Sequence, residues 1–392
     1  MLSQKKFIFQ STPKEEITVT PTIKISTVTT TQDFKEFYRV PWQIYKSDPY
    51  WIPPLWRELK DFFTSTNPFW RHGQAQLYIA YENNVPVGRI VAIIDQLFIE
   101  KEKKPIGYFG FFECCNQYPI ATALFQAAET WLKSKKITTI RGPINGRIDI
   151  GCGFLYQGFD SSPSILETYS PAYYTEYAET YGFQKCKDLV SYYLDLTNPI
   201  PPKVEETAKQ VEKKGIQIRG FHRLRSRQEI DWWIPLMMQE FANHWGYVPV
   251  SEEEVRTRFG IKQARWFVDS KLFLIAEAQG EPISFKWSTP DYNQVFKTLN
   301  GKLGLVGTLK FFFRKHTITR GTFNFVGIKK LYRSQGIGTF MNYYTMLEMK
   351  RRGYTGAECG WIDEENIASR RAIEKIGAKL VKIFRVYEKT IE

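Results

Sequence analysis

Val326–Gly338 reads VGIKKLYRSQGIG. A short apolar run, Phe323–Ile328, carries strand-type residues into this basic turn, and an amphipathic segment begins at Thr339. The turn holds Arg333, Gly336 and Gly338. A strand that passes through a glycine-bearing loop into a helix start forms an anion cradle. Successive backbone N–H groups converge there, and the helix dipole adds partial positive charge. Glycine lets backbone approach a ligand where a Cβ would intervene. The competing reading of the same residues is a plain tight turn.

Working outward, the pattern predicts a strand at Ala357–Ile362, a helix at Asn366–Ile376 ended by Gly377, and a last strand at Leu380–Tyr387. Upstream lies a hairpin, Leu272–Glu277 and Pro282–Ser288, across AQGEP. Further back come a strand at Gly215–Phe221 and helices at Arg227–Trp245 and Ser251–Phe259, the latter opening on a Ser-x-x-Glu capping box. The first half has the same order. The hairpin Leu77–Asp95 turns at ENNVP, and strand Gly107–Cys114, helix Ile120–Ser134, strand Thr138–Pro143, helix Pro171–Gly182 and strand Leu189–Leu196 follow. Gly182 and Gly377 hold equivalent places, 377 − 182 = 195 residues apart. A period of that size indicates duplicated domains. Thr197–Lys203, TNPIPPK, is the expected linker. The expected organisation is an arm at 1–24 and domains at 25–198 and 199–392.

Composition sets the bounds. With 392 residues, 43% hydrophobic and 16% aromatic, the chain has ample material for two cores. A net charge of +13 suits a polyanionic ligand or a solvated basic surface. Cys114, Cys115, Cys152, Cys186 and Cys359 form no CxxC pair and no zinc spacing, so reduced thiols and no metal are expected. No window reaches the roughly 18 apolar residues of a membrane span, and a cytoplasmic protein is expected. No aromatic-basic RNA module appears, so specific nucleic-acid binding is not expected.

Arg-x-x-Gly-x-Gly in RSQGIG, followed by NIASRRAIEKIGA from Asn366, resembles the GNAT (GCN5-related N-acetyltransferase) superfamily. The match covers Phe323–Tyr387, extends to the hairpin Leu272–Ser288, and by element order reaches residues 25–196. The resemblance implies an α+β fold: two tandem GNAT-like domains, each with a mixed, mostly antiparallel sheet flanked by helices. It implies acetyl-CoA or a longer acyl-CoA as donor. Val326 and Ile328 would bind pantetheine and the thioester carbonyl on a splayed strand. Arg333, Ser334, Gln335, Gly336, Ile337, Gly338 and Thr339 would hold the pyrophosphate, and Asn366 would contact pantetheine or order the following helix, as an ordinary N-cap does. The acceptor would be a small-molecule or amino-acid-like amine, a protein N-terminus or a lysine. A non-catalytic acyl-CoA sensor or scaffold is the alternative.

The chain departs from the pattern at Ile373, where the family often carries a tyrosine acid. Tyr332, Tyr343 and Tyr344 are the nearest replacements in sequence. Candidate bases are Glu358, Glu364, Glu365 and His244, of which Glu358 is preferred because it lies on the splayed strand. The first copy has CCNQYPIA, Cys114–Ala121, in place of the glycine loop, so it is not expected to bind coenzyme A in the standard way. Asn145, Arg147 and Asp149, in the glycine-rich loop Gly142–Asp160, are candidates to line a substrate pocket, as are Trp51 and Trp70.

Overall fold

A computed structural model describes residues 16–20, 23–260 and 268–391. Of the arm expected at 1–24, residues 1–15, 21 and 22 lie outside the described residues. Glu16–Thr20 (β1) pairs antiparallel with Ile23–Thr27 (β2). The chain packs as two compact units. Among the described residues, unit 1 gathers 16–20, 23–188, 296–310 and 383–391; unit 2 gathers 189–260, 268–295 and 311–382.

In unit 1, β2 is followed by Gly73–Glu82 (β3), Val85–Asp95 (β4), Ile106–Cys114 (β5), Thr139–Gly142 (β6) and Phe154–Gln157 (β7). The β3–β4 hairpin turns on Asn83 and Asn84, both left-handed with φ 50° and 63°, a geometry that matches strand twist and that Asn tolerates. β2 to β5 pair antiparallel in order, and β5 and β6 run parallel. Helix Tyr118–Ser134 buries Leu124, Phe125 and Leu132 against the sheet, with Phe125 stacked on Phe112 at 4.7 Å. β7 was not legible beforehand, because its four residues sit inside a glycine-rich loop.

Gln184–Asp195 (β8) ends the first repeat. In unit 2, Ile216–Gly220 (β9), Phe273–Ala278 (β10), Glu281–Pro290 (β11) and Arg320–Ile328 (β12) pair antiparallel in sequence order, and β12 runs parallel to Gly356–Asp363 (β13). Leu189–Asp195 of β8 then pairs antiparallel with β13. In unit 1 the matching place beside β6 is filled by the end of Lys379–Thr390 (β14), with Tyr387 opposite Gly142. Each unit's sheet is therefore completed by the last strand of the other repeat. The proline-rich stretch Thr197–Lys203 follows β8 within unit 2, and Pro202 opens helix Pro202–Lys213, where its missing N–H costs nothing.

Candidate functional site

β11 and β12 stay paired from Pro290/Gly321 to Ser284/Ile328, with one irregularity after Trp287. The parallel pairing of β12 with β13 ends at Phe323/Cys359. Among the described residues, no strand pairs with the other backbone edge of Asn324–Ile328. The N–H of Lys329 donates to Ile283 O on the β11 side, and N–H groups alternate between edges along a strand. Those of Val326 and Ile328 consequently face the gap. The Gly327 carbonyl turns to β11 and accepts Ser284 Oγ at 2.7 Å. A Cβ on Gly327 would lie 2.4 Å from Phe285 Cε1, so glycine is required there by close packing.

Beyond β12, Lys330–Tyr332 form a tight turn, and Ser334 takes φ 63°. Gly336, with φ 86°, caps a helix that runs Ile337–Arg351, two residues earlier than the pattern at Thr339 suggested. The Phe340 N–H is the first to return to the helix, to Gly336 O at 2.9 Å. Those of Ile337, Gly338 and Thr339 precede the intrahelical ladder and form a donor cluster at the positive end of the dipole. Gly338 tolerates a Cβ, which would meet Ile328 at 3.6 Å, whereas one on Gly336 would press on Thr207 at 2.9 Å. Conformation therefore demands only the first of the two glycines. Gln335 Nε2 donates to Leu331 O at 3.0 Å. Arg333 Nε donates to Ile328 O at 3.1 Å and its Nη2 to Glu240 at 2.6 Å, so this cation ties the loop to the end of β12. Asn366 caps helix Ile367–Lys375, accepting from the Ser369 N–H at 3.1 Å. The structure brings the loop residues and the two splayed positions together.

The reacting groups are arranged differently from the expectation. Glu358 is buried in the sheet, ion-paired to Lys382 and 3.4 Å from Ser191 Oγ. An ion pair of this kind favours the charged carboxylate and so opposes its taking up a proton. Glu364 gives its backbone carbonyl to Arg370, and the Glu365 N–H donates to Asp363. Ile373 is a buried apolar residue. Tyr344 donates to Glu212 on the helix Pro202–Lys213, and burial together with that carboxylate pushes its hydroxyl up to about 12. It is held on that neighbouring helix rather than offered to a leaving thiolate.

His244, by contrast, lies within electrostatic reach of Asp363, Arg333 and Glu240. The side chain is exposed; partial desolvation, the largest effect, lowers its pKa, Arg333 lowers it too, and Asp363 and Glu240 raise it. The net depression leaves the imidazole neutral near pH 7, the state a proton acceptor needs. Beside it, Phe241, Phe259 and Trp287 pack on Phe325 at 5.6, 6.3 and 5.6 Å, giving the open stretch of β12 an aromatic wall.

Lys286 was missed in the sequence. It alternates with Phe285 and Trp287 among serines, a pattern that reads as the wet face of a strand. It is instead fully buried, opposite Val326, with its ammonium 4.0 Å from the Phe323 ring centroid. Burial lowers its pKa to about 8. Phe323 is the last residue of β12 paired with β13, so this charge lies over a side chain at the point where that pairing ends.

The counterpart in unit 1 is filled by the chain itself. β5 and β6 separate after Tyr108/Arg141. There the Ile144 N–H donates to Phe109 O at 2.8 Å, and Asn145 Oδ1 accepts the Phe111 N–H at 2.6 Å. A Cβ on Gly110 would lie 2.3 Å from Ile144 O. Arg147 pairs with Asp149 at 3.0 Å. Trp51 stacks on Tyr45, and Trp70 Nε1 donates to Phe62 O. These candidate pocket residues close the first cleft or brace its surroundings.

No family model matches the chain. It is 30% identical over 377 residues to the bacterial ceramide synthase of Caulobacter vibrioides, covering 94% of this chain and 98% of that protein. It is 31% identical over 366 residues to Protein YghO of Escherichia coli, covering 92% and 93%. Among solved structures it matches a tandem GNAT protein from the clavulanic acid biosynthesis pathway with TM-score 0.55 at 10% identity, over 94% of this chain and 99% of that one. A GCN5-related N-acetyltransferase from Sphaerobacter thermophilus gives 0.52 at 14%, over 96% and 98%. At these identities the structural likeness is one of fold.

Proposed function

This chain belongs to the family of the bacterial ceramide synthase and Protein YghO and has a tandem GNAT fold, and we propose that unit 2 moves an acyl group from acyl-coenzyme A to the amine of a long-chain amphiphilic base. The observation that carries this reading is the gap between β12 and β13, opening beside the donor cluster of Gly336–Thr339. An extended pantetheine arm adds to the free edge of β12 as a further strand would, and the pyrophosphate meets the helix N-terminus. Repeats 25–198 and 199–392 then serve unequally, since the first has closed its own cleft.

The amine attacks the thioester carbonyl carbon, forming C–N and breaking C–S. The Ile328 N–H, directed into the gap, stabilises the oxyanion that develops on the carbonyl. His244 takes the ammonium or amine proton. Lys286 supplies positive potential where the β12–β13 pairing ends, toward the departing thiolate as it gathers charge. Holding the two reactants side by side provides much of the acceleration. Acetyl is the default acyl group of the fold. The name of the Caulobacter relative and the aromatic wall beside Phe325 favour a longer chain and a lipid-like acceptor.

A non-catalytic acyl-CoA sensor is the second reading, favoured by Ile373 at the position of the family's tyrosine. Thiol release from acetyl- and palmitoyl-coenzyme A, measured with a long-chain amino alcohol and with a short soluble amine, tests the proposal. Release that depends on the long-chain amine is expected. Tight acyl-CoA binding with no release for any amine would establish the sensor reading instead.

A further inference from the structure

The helix Leu305–Arg314, LVGTLKFFFR, turns an apolar ridge outward. Leu305 is 80% exposed, Val306 78%, Leu309 52% and Phe313 73%. At about 100° per residue these four fall within an arc of about 100° on one side of the helix. Phe311 lies off that arc, is buried, and packs on Tyr292 at 5.4 Å, so the helix is anchored by its opposite side. Lys310 Nζ donates to Thr298 O at 2.6 Å and ties the helix to the short 3₁₀ turn Lys297–Leu299 before it. The exposed ridge is therefore a property of a fixed helix rather than of a frayed end.

Charge defines what the ridge meets. From Asn293 to Leu347 the chain contains no Asp or Glu, while Lys302, Lys310, Arg314 and Lys315 lie on or beside the helix. Lys302, Arg314 and Lys315 are exposed. Large leucine and phenylalanine side chains bordered by cations, in a stretch of sequence without carboxylates, are the signature of a helix that lies in a lipid–water interface and is drawn there by anionic headgroups. Ten residues of helix span about 15 Å, half of a hydrocarbon core of about 30 Å, and among the described residues no helix is long and apolar enough to cross a membrane. The geometry points to a flat, reversible docking mode: we propose that Leu305–Arg314 seats this protein on an anionic bilayer surface. The inference rests on exposure and charge alone and stands apart from the acyl-transfer reading.

Flotation of the full-length protein with phosphatidylcholine vesicles, with and without phosphatidylglycerol, tests it. Binding is expected only with phosphatidylglycerol, and it should weaken as salt rises. The double variant Leu309→Glu/Phe313→Glu should lose roughly tenfold or more of the partitioning, with an unchanged melting temperature because both side chains are exposed. Lys302→Glu/Lys315→Glu, which leaves the ridge intact, should weaken binding as well and serves as the test should the first variant fail to fold. Wild-type protein that stays unbound, or variants that bind as well as wild type, would overturn the proposal. So would light scattering that shows a dimer dispersed by Leu309→Glu/Phe313→Glu without vesicle binding, since a second copy would then be the occupant.

Discussion

Replacing Lys286 with methionine should stabilise the protein, although it removes a lysine from a well-packed strand. Lys286 is buried, and its ammonium faces the Phe323 ring rather than a carboxylate. Lowering this amine from 10.5 to about 8 corresponds to a cost of about 3 kcal/mol for keeping it charged, at ~1.4 kcal/mol per pH unit. The folded pKa lies below the unfolded one, so the cost is fully present below pH 8. Stability then rises with pH between about 8 and 10.5, where the unfolded chain still holds the proton and the folded chain has released it. Methionine fills similar volume without charge but gives up a cation–π contact worth up to ~2 kcal/mol when desolvated. The net gain at pH 7 should be about 1–3 kcal/mol, shrinking as pH approaches 10.5. Urea unfolding followed by tryptophan fluorescence at pH 7 and pH 10 measures both quantities. A variant no more stable than wild type at pH 7, or a difference that is constant with pH, would refute the burial argument. The same variant should release thiol more slowly, because a destabilising buried cation is retained where it does electrostatic work.

Further substitutions separate the parts of the site. Gly336→Val forces a β-branched residue to φ 86° and against Thr207; it should cost about 1–3 kcal/mol and abolish coenzyme A binding by calorimetry. His244→Gln should lower the acyl-transfer rate by about 10²-fold or more while leaving donor affinity unchanged. In wild type, activity should fall as the imidazole protonates, below pH 6.5, since Asp363 and Glu240 do not offset the depression from partial desolvation and Arg333. Glu358→Gln removes the carboxylate that faces the buried Lys382 ammonium; it should lose about 3–5 kcal/mol in denaturant unfolding, with the surviving folded fraction active. Asn145→Ala orphans the Phe111 N–H in unit 1 and should cost about 1–3 kcal/mol without creating a second coenzyme A site.

Local chemistry alone determined a good deal. Asn83-Asn84 and Gln279-Gly280 announced their hairpins because few other residues accept a left-handed backbone. Gly336 marked the turn for the same reason, although periodicity put the helix start at Thr339 rather than Ile337, and Ile373 removed the tyrosine acid by identity alone. Such signals are legible because they depend on residues adjacent in the chain. The closing of each sheet by the other repeat's last strand, the separation of β12 from β13 at Phe323/Cys359, and the plugging of the first cleft by Asn145 depended on pairings between distant segments. Periodicity carries no partner label, so tertiary structure alone decided them. The same holds for charge: Glu358 read as a candidate base and Lys286 as an ordinary strand residue, and only the fold showed their surroundings. Folding gave Glu358 a lysine partner and left Lys286 over a ring.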